Sequence, residues 1–276
     1  MAWTVFSFFC DTFCCPPIPS VITSKIAFCP PPEATYSIVD NVADDGAGSG
    51  DSSAKKLRLV LRKNAYWKFS QSTLNRIEPF WTRTARGQRI AGFFLPANGT
   101  AGRDGASGDR WTILYSHGNA SDIGQIASLL VQMSNLLDVN VACYDYTGYG
   151  LNTGVASEAH VYADVVAVWR TVQDQFHVAP ERIIAHGQSI GTAATVHLAS
   201  KYRVAGVILQ SSFLSGLRLH FPNIKRSIFF DSFKKYELLY TVNIDYYIYI
   251  YIYIYIYIYD IRRVRQDINY AYILKR

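Results

Sequence analysis

Five residues, Gly187-Gln188-Ser189-Ile190-Gly191, constrain this chain more than any others. They form a G-x-S-x-G run, with the apolar stretch Arg182 to His186 ahead of it and the helix-like stretch Thr192 to Tyr202 behind it. A serine set between a strand and a helix in this way sits on a turn so sharp that its hydroxyl projects alone, the geometry of a nucleophile elbow. Such a turn tolerates only small residues two positions to either side, hence Gly187 and Gly191. Ser189 is therefore the candidate nucleophile, and Ile190 would offer its backbone N–H, at the positive end of the following helix, to a developing oxyanion. The pentapeptide alone is equally an ordinary Gly-bounded turn; the flanking pattern is what favours the elbow.

That pattern extends along the chain. Thr112 to Ser116, Asn140 to Tyr144, Arg182 to His186 and Val204 to Leu209 read as buried strands. Between them Ile123 to Leu137 and Glu158 to Phe176 have helical spacing, the second with Ser157 placed to cap it. Strands separated by helices of this length predict an α/β fold, a mostly parallel sheet with helices on both faces and the site at the carboxyl ends of the strands. Leu57 to Trp67 and Ile90 to Leu95 read as earlier strands, and Asn41 to Ala54 as a linker or surface loop. Asn98-Gly99-Thr100, in a Gly-rich loop, is a formal glycosylation acceptor that a chain without a signal peptide would never present to the transferase. No cofactor fingerprint competes for the strand ends, and neither a cofactor nor a metal is expected.

Two further motifs fall at that edge. His117-Gly118-Asn119-Ala120 follows the first of these strands, where Gly118 lets the N–H of Asn119 or Ala120 approach a substrate as second oxyanion donor. Asp145 to Gly150 follows the next strand; preceding the nucleophile, it reads as a loop that shapes the cleft rather than as a catalytic acid.

Composition sets the setting. With 276 residues, half of them apolar, one sizeable core is expected. The net charge of +6 owes half its size to the stretch after Phe233, with seven cations against four acids, so nucleic-acid binding is not read from it. Five cysteines, four of them before residue 30, make no disulfide framework and point to a reducing setting. The first residues are aromatic but broken by Asp11, too short to span a bilayer and without the basic start of a signal peptide. Clustered thiols on a membrane-seeking segment are acceptors for S-palmitoylation, and Cys10, Cys14 and Cys15 together would anchor firmly where one acyl chain holds only marginally.

Leu114 to Gln125, Tyr144 to Gly150, Tyr162-Ala-Asp164 with Trp169, Gly187 to Thr192 and the N-terminal Cys-Pro pattern resemble the α/β-hydrolase domain-containing protein 17 family. The likeness runs from the N-terminus to about Phe233. It implies an α/β-hydrolase fold and a membrane-anchored serine hydrolase that removes palmitate from cysteines of peripheral membrane proteins, at the cytoplasmic face of plasma or endosomal membranes. By the resemblance Ser189 is the nucleophile, Ile190 with the Asn119/Ala120 loop forms the oxyanion hole, and Cys10, Cys14 and Cys15 carry the anchor. Asp11 and Ile18 stand where further cysteines are expected. The implied partners are S-palmitoylated peripheral membrane proteins and the membrane surface, with no nucleic acid.

The departure comes after Phe233. In this fold the acid and base follow the nucleophile in the order Ser, Asp, His, yet no His occurs beyond His220. His197 lies about two turns past Ser189, roughly 12 Å along a helix, and His220 aligns with no triad position. Tyr246 to Tyr259 alternate Tyr and Ile almost without interruption, a run that an unbroken TA codon repeat would encode. It reads as translated non-coding sequence, or alternatively as a real strand. Three divisions are expected: 1-35 an anchoring segment, 36-233 a C-terminally truncated hydrolase domain, 234-276 an aberrant tail. A sheet edge left bare beside Val204 to Leu209 and an impaired serine thioesterase follow. The alternatives are a non-catalytic binding form and a secreted esterase or lipase.

Overall fold

The computed structural model describes residues 27–40, 57–98, 110–212, 233 and 247–250. In chain order its elements begin with β1 (Tyr36–Asp40), β2 (Leu57–Leu61), a one-turn helix α1 (Gln71–Leu74), β3 (Glu78–Arg83) and β4 (Arg89–Leu95). Then come β5 (Thr112–Ser116), α2 (Ile123–Leu137), β6 (Asn140–Tyr144), α3 (Glu158–Asp174), β7 (Ile183–Gln188), α4 (Gly191–Lys201), β8 (Gly206–Gln210) and β9 (Tyr247–Ile250). Seven strands form one sheet in the order β3-β4-β6-β5-β7-β8-β9, and β1 and β2 pair separately as an antiparallel ribbon. β4 runs antiparallel to both its neighbours, β3 and β6; from β6 across to β9 every pairing is parallel.

Alternation along the strands sorts the sheet into two faces. Ile113 and Tyr115 on β5 join Phe93, Val141 and Cys143 in a core closed by Ile123, Leu130 and Val131 of α2 and by Tyr36 and Leu59 of the ribbon. Leu114, between them, joins Phe94, Ala142 and Tyr144 under Val161, Val165 and Val168 of α3 and Ala194 and Leu198 of α4. Each fully buried Leu, Ile or Phe contributes about 1.5–3 kcal/mol, so both layers hold the helices and the ribbon against the sheet.

The predicted elements are present with shifted ends. α3 stops at Asp174 rather than Phe176, Arg182 belongs to a 3₁₀ turn, Pro180–Arg182, and β8 starts at Gly206. The strand expected over Leu57 to Trp67 ends at Leu61 because the next amide, Arg62 N–H, turns to Thr35 O (2.8 Å) and Ala65 N–H folds back on Arg62 O (3.0 Å).

The bare β8 edge is a correction. Tyr247 to Ile250 pair in parallel with Val207 to Gln210, so the β8 edge carries a ninth strand. Strict Tyr/Ile alternation has the period of two and the β-forming residues that a strand requires, and for these four residues the strand alternative is the one the fold adopts. The rest of the Tyr/Ile run, Cys10, Cys14, Cys15, His220, the 41–54 linker and Gly99-Thr100 lie outside the described residues.

Candidate active site

β7 ends at Gln188 and α4 begins at Gly191, which leaves Ser189 and Ile190 to reverse the chain. Ser189 does so with φ +51°, in the left-handed region, a conformation that costs a non-glycine residue about 1–3 kcal/mol and collects at functional sites. The two glycines are required by close approach rather than by their own torsions. A Cβ on Gly191 would lie 2.0 Å from Ser116 O, and one on Gly187 would lie 2.4 Å from Gly191 O. The turn is pinned by Ser189 N–H donating to Gln210 O on β8 (2.9 Å) and Thr192 N–H to Ser189 O (3.0 Å).

The Ser189 side chain is half-buried, and none of the described residues hydrogen-bonds its Oγ. Immediately after it α4 starts without a side-chain cap, whereas α1, α2 and α3 are capped by Ser70, Asp122 and Ser157. Uncapped N–H groups at a helix N-terminus carry partial positive charge. Ile190, 4% exposed, stands at this N-terminus and carries the first of them.

The β5 and β6 loops beside this turn are bound into one network. His117 and Asp145 are fully buried, with Nε2 3.2 Å from Oδ1. Asp145 also accepts from Tyr36 OH (2.6 Å) and from Ile123 N–H at the start of α2 (3.0 Å). Burial pushes its carboxyl above the ordinary range, against the opposing pull of His117 and Tyr36. Tyr146 OH donates to His117 O (2.6 Å), and Thr147 donates from both N–H (2.8 Å) and hydroxyl (2.9 Å) to Asp164. Asp164 is raised to about 7, again by burial, although the Thr147 bonds favour its charged form.

Asn119 and Ala120 are separated in role by this network. Ala120 takes φ +58° and its N–H is engaged by Asn119 Oδ1 at 3.2 Å. The same oxygen accepts from Tyr149 OH (2.6 Å) and Cys29 N–H (2.9 Å), while Asn119 Nδ2 donates to Ala27 O (2.8 Å). The Asn119 side chain thus fastens the segment ahead of β1 onto the loop, and of the two candidate donors the Asn119 backbone N–H is the one its side chain leaves clear. Sequence reasoning missed Tyr36, Asp122 and this clamp. Asp122 had a signal, an Asp directly before an apolar-periodic run, whereas Tyr36 meets Asp145 across 109 residues with nothing in the sequence to announce it.

None of the five described histidines hydrogen-bonds Ser189. His117 is held by Asp145, and His160 Nδ1 meets Val155 O (2.9 Å). His186 is buried on β7 with its pKa drawn down to about 4 by desolvation, partly offset by Gln210. His197 stacks on Tyr162 at 4.0 Å and is likewise lowered to about 4, by burial and then by Lys201.

A serine on a strained strand-to-helix turn, at the carboxyl edge of a sheet with this strand order, defines an α/β hydrolase. The family described as Serine aminopeptidase, S33 (Hydrolase_4) matches residues 108–235. Alpha/beta hydrolase domain-containing protein 17C of Xenopus tropicalis is 42% identical over 231 residues, covering 81% of this chain and 71% of that protein. The 17B protein of Homo sapiens is 39% identical over 228 residues, covering 83% and 73%. Among solved structures, an alpha-beta hydrolase from Vibrio vulnificus is similar over 64% of this chain and 62% of its own, at 18% identity and a TM-score of 0.43. The chain belongs to the alpha/beta hydrolase domain-containing protein 17 family. It carries a hydrolase domain of the serine type.

Proposed function

We propose that this site is built to cleave the thioester of S-palmitoylated cysteines on peripheral membrane proteins, with Ser189 as nucleophile and the N–H groups of Ile190 and Asn119 receiving the oxyanion. The observation that carries the reading is Ser189 itself, held at φ +51° where no described group ties up its hydroxyl. The family resemblance supplies the substrate class, and the clustered Cys10, Cys14 and Cys15 supply the membrane setting, at the cytoplasmic face. A serine hydroxyl stays a weak nucleophile until a base removes its proton. None of the described histidines hydrogen-bonds Ser189, and on this reading the 276-residue chain is a thioesterase scaffold with impaired turnover.

The test is hydrolysis of an S-palmitoylated peptide by the chain and by a chimera whose residues after Phe233 come from the 17B relative. Turnover by the chimera that Ser189→Ala removes supports the proposal. A chimera that cleaves simple oxygen esters but leaves the thioester intact overturns the substrate class.

A further inference from the structure

The charge outside the tail is concentrated. Residues 57–77 contain Arg58, Arg62, Lys63, Lys68 and Arg76 and no Asp or Glu, five positive charges in a chain whose net charge is +6. Arg76 turns inward to Pro96 O (2.6 Å). The other four are exposed on the ribbon and the loop that follows it. Arg58 and Arg62 stand four residues apart on and just past β2, so the pleat puts both on one face. They line, with Lys63, a cavity of about 440 Å³ whose remaining wall includes the half-buried Leu61 and Trp67. Around it Tyr66 is 64% exposed with the Lys68 ammonium 4.8 Å from its ring centroid, and Val39 on β1 is 36% exposed. The acids near this surface are Glu33, 3.6 Å from Arg62, and Asp40, one register position from Arg58 across the ribbon.

We propose that the β1–β2 ribbon and the 62–68 loop form a docking surface for an anionic lipid bilayer, with Arg58, Arg62 and Lys63 receiving lipid phosphate and the apolar wall of the cavity facing the acyl region. A cationic rim over an apolar wall matches an amphiphile, and exposed tyrosine among basic residues is the composition of a membrane interface. A single-stranded nucleic acid would instead need free aromatic faces for base stacking; Trp67 is packed edge-on against Phe69 at 5.6 Å, and one face of Tyr66 carries the Lys68 ammonium. Position agrees with the lipid assignment. Arg62 N–H bonds Thr35 O (2.8 Å), and six residues earlier Cys29 N–H bonds Asn119 (2.9 Å), so the ribbon continues from the segment that follows the cysteine cluster. With only one of the three cysteines acylated the anchor would hold marginally, and a basic patch is the second signal that then keeps a protein on a membrane.

The test uses the full chain made without acylation and floated with vesicles of phosphatidylcholine alone or with phosphatidylserine added. Binding is expected only to the anionic vesicles, falling steeply with added salt. Changing Arg58, Arg62 and Lys63 together to Gln should weaken it about a hundredfold, with an unchanged thermal melt because all three side chains are at the surface. Equal binding to neutral vesicles, or undiminished binding by the triple variant, overturns the proposal. So does capture on RNA or heparin with no flotation. The measurement needs neither turnover at Ser189 nor acylation, so its failure leaves the thioesterase proposal standing and the converse also holds.

Discussion

The two sides of the candidate active site are built in opposite ways. On the β5–β6 side most polar side chains are engaged: Tyr36 donates to Asp145, Thr147 to Asp164, Asn119 bonds Tyr149 and Cys29, and His117 Nε2 lies 3.2 Å from Asp145 Oδ1. On the β7 side Ser189 stands in a strained conformation with its hydroxyl unbonded among the described residues, next to an uncapped helix. Buried polar networks rigidify a fold to the extent that they are satisfied. The side chains of the first side are therefore scaffold, leaving the Asn119 backbone N–H as its proposed contribution to the chemistry, and the second side is where reactivity resides or would be conferred by a base.

The contrast can be broken from either side. The largest effect is expected from Gly191→Val, because even a Cβ lies 2.0 Å from Ser116 O; overpacking against backbone should cost more than about 4 kcal/mol or abolish cooperative urea unfolding. Asp145→Ala comes next. It strands the donors Tyr36 OH and Ile123 N–H beside the buried His117, and a loss of about 3–4 kcal/mol is expected in the same melt. Asn119→Ala removes bonds that are partly exposed and should cost about 1–2 kcal/mol, while hydrogen exchange at the Cys29 and Ala120 amides rises.

A pH series sharpens the same division. Asp164, raised to about 7, binds its proton more tightly folded than unfolded, so its contribution to stability falls as pH climbs from about 4 to about 7, by at most about 1.4 kcal/mol per pH unit. His186 and His197, both lowered to about 4, act in the opposite direction, since the unfolded chain takes up those protons first as pH falls below about 6.5. The two trends oppose one another in the intact protein. Subtracting the profile of Asp164→Asn from that of the parent should isolate the falling component, and a flat difference would show that Asp164 is charged in the fold.

Much of this was legible in the sequence where one local signal sufficed. Ile113-Leu114-Tyr115, Val141 to Tyr144 and Ile183 to Ala185 are short apolar runs bounded by turns, and each became a central strand. β1 and β3 were not, because Tyr36-Ser37-Ile38-Val39-Asp40 is half polar and Glu78-Pro79 opens β3 with a residue that discourages strands. The need for small residues at Gly187 and Gly191 could be read from the motif. The Asn119 clamp could not, since its partners lie 30 and 90 residues away, and no periodicity encodes which backbone groups a loop side chain will meet. The strand at Tyr247–Ile250 is legible only as an alternative reading and its pairing with β8 not at all; a low-complexity run gives its strand tendency but not its partner.

The central proposal is that Ser189 has the geometry of a nucleophile but no base among the described residues. It is tested most directly by the rate at which a fluorophosphonate probe labels the purified chain, with the labelled residue located by peptide mapping. In serine proteases, loss of triad members leaves only a residual roughly 10³–10⁴-fold catalysis over water, from the oxyanion hole and binding. The account predicts no rapid labelling of the 276-residue chain, and rapid labelling at Ser189 once residues after Phe233 are replaced by those of the 17B relative. Labelling of the unaltered chain at Ser189 at an ordinary serine-hydrolase rate would contradict it, and His197→Gln and His220→Gln would then identify which imidazole serves as the base.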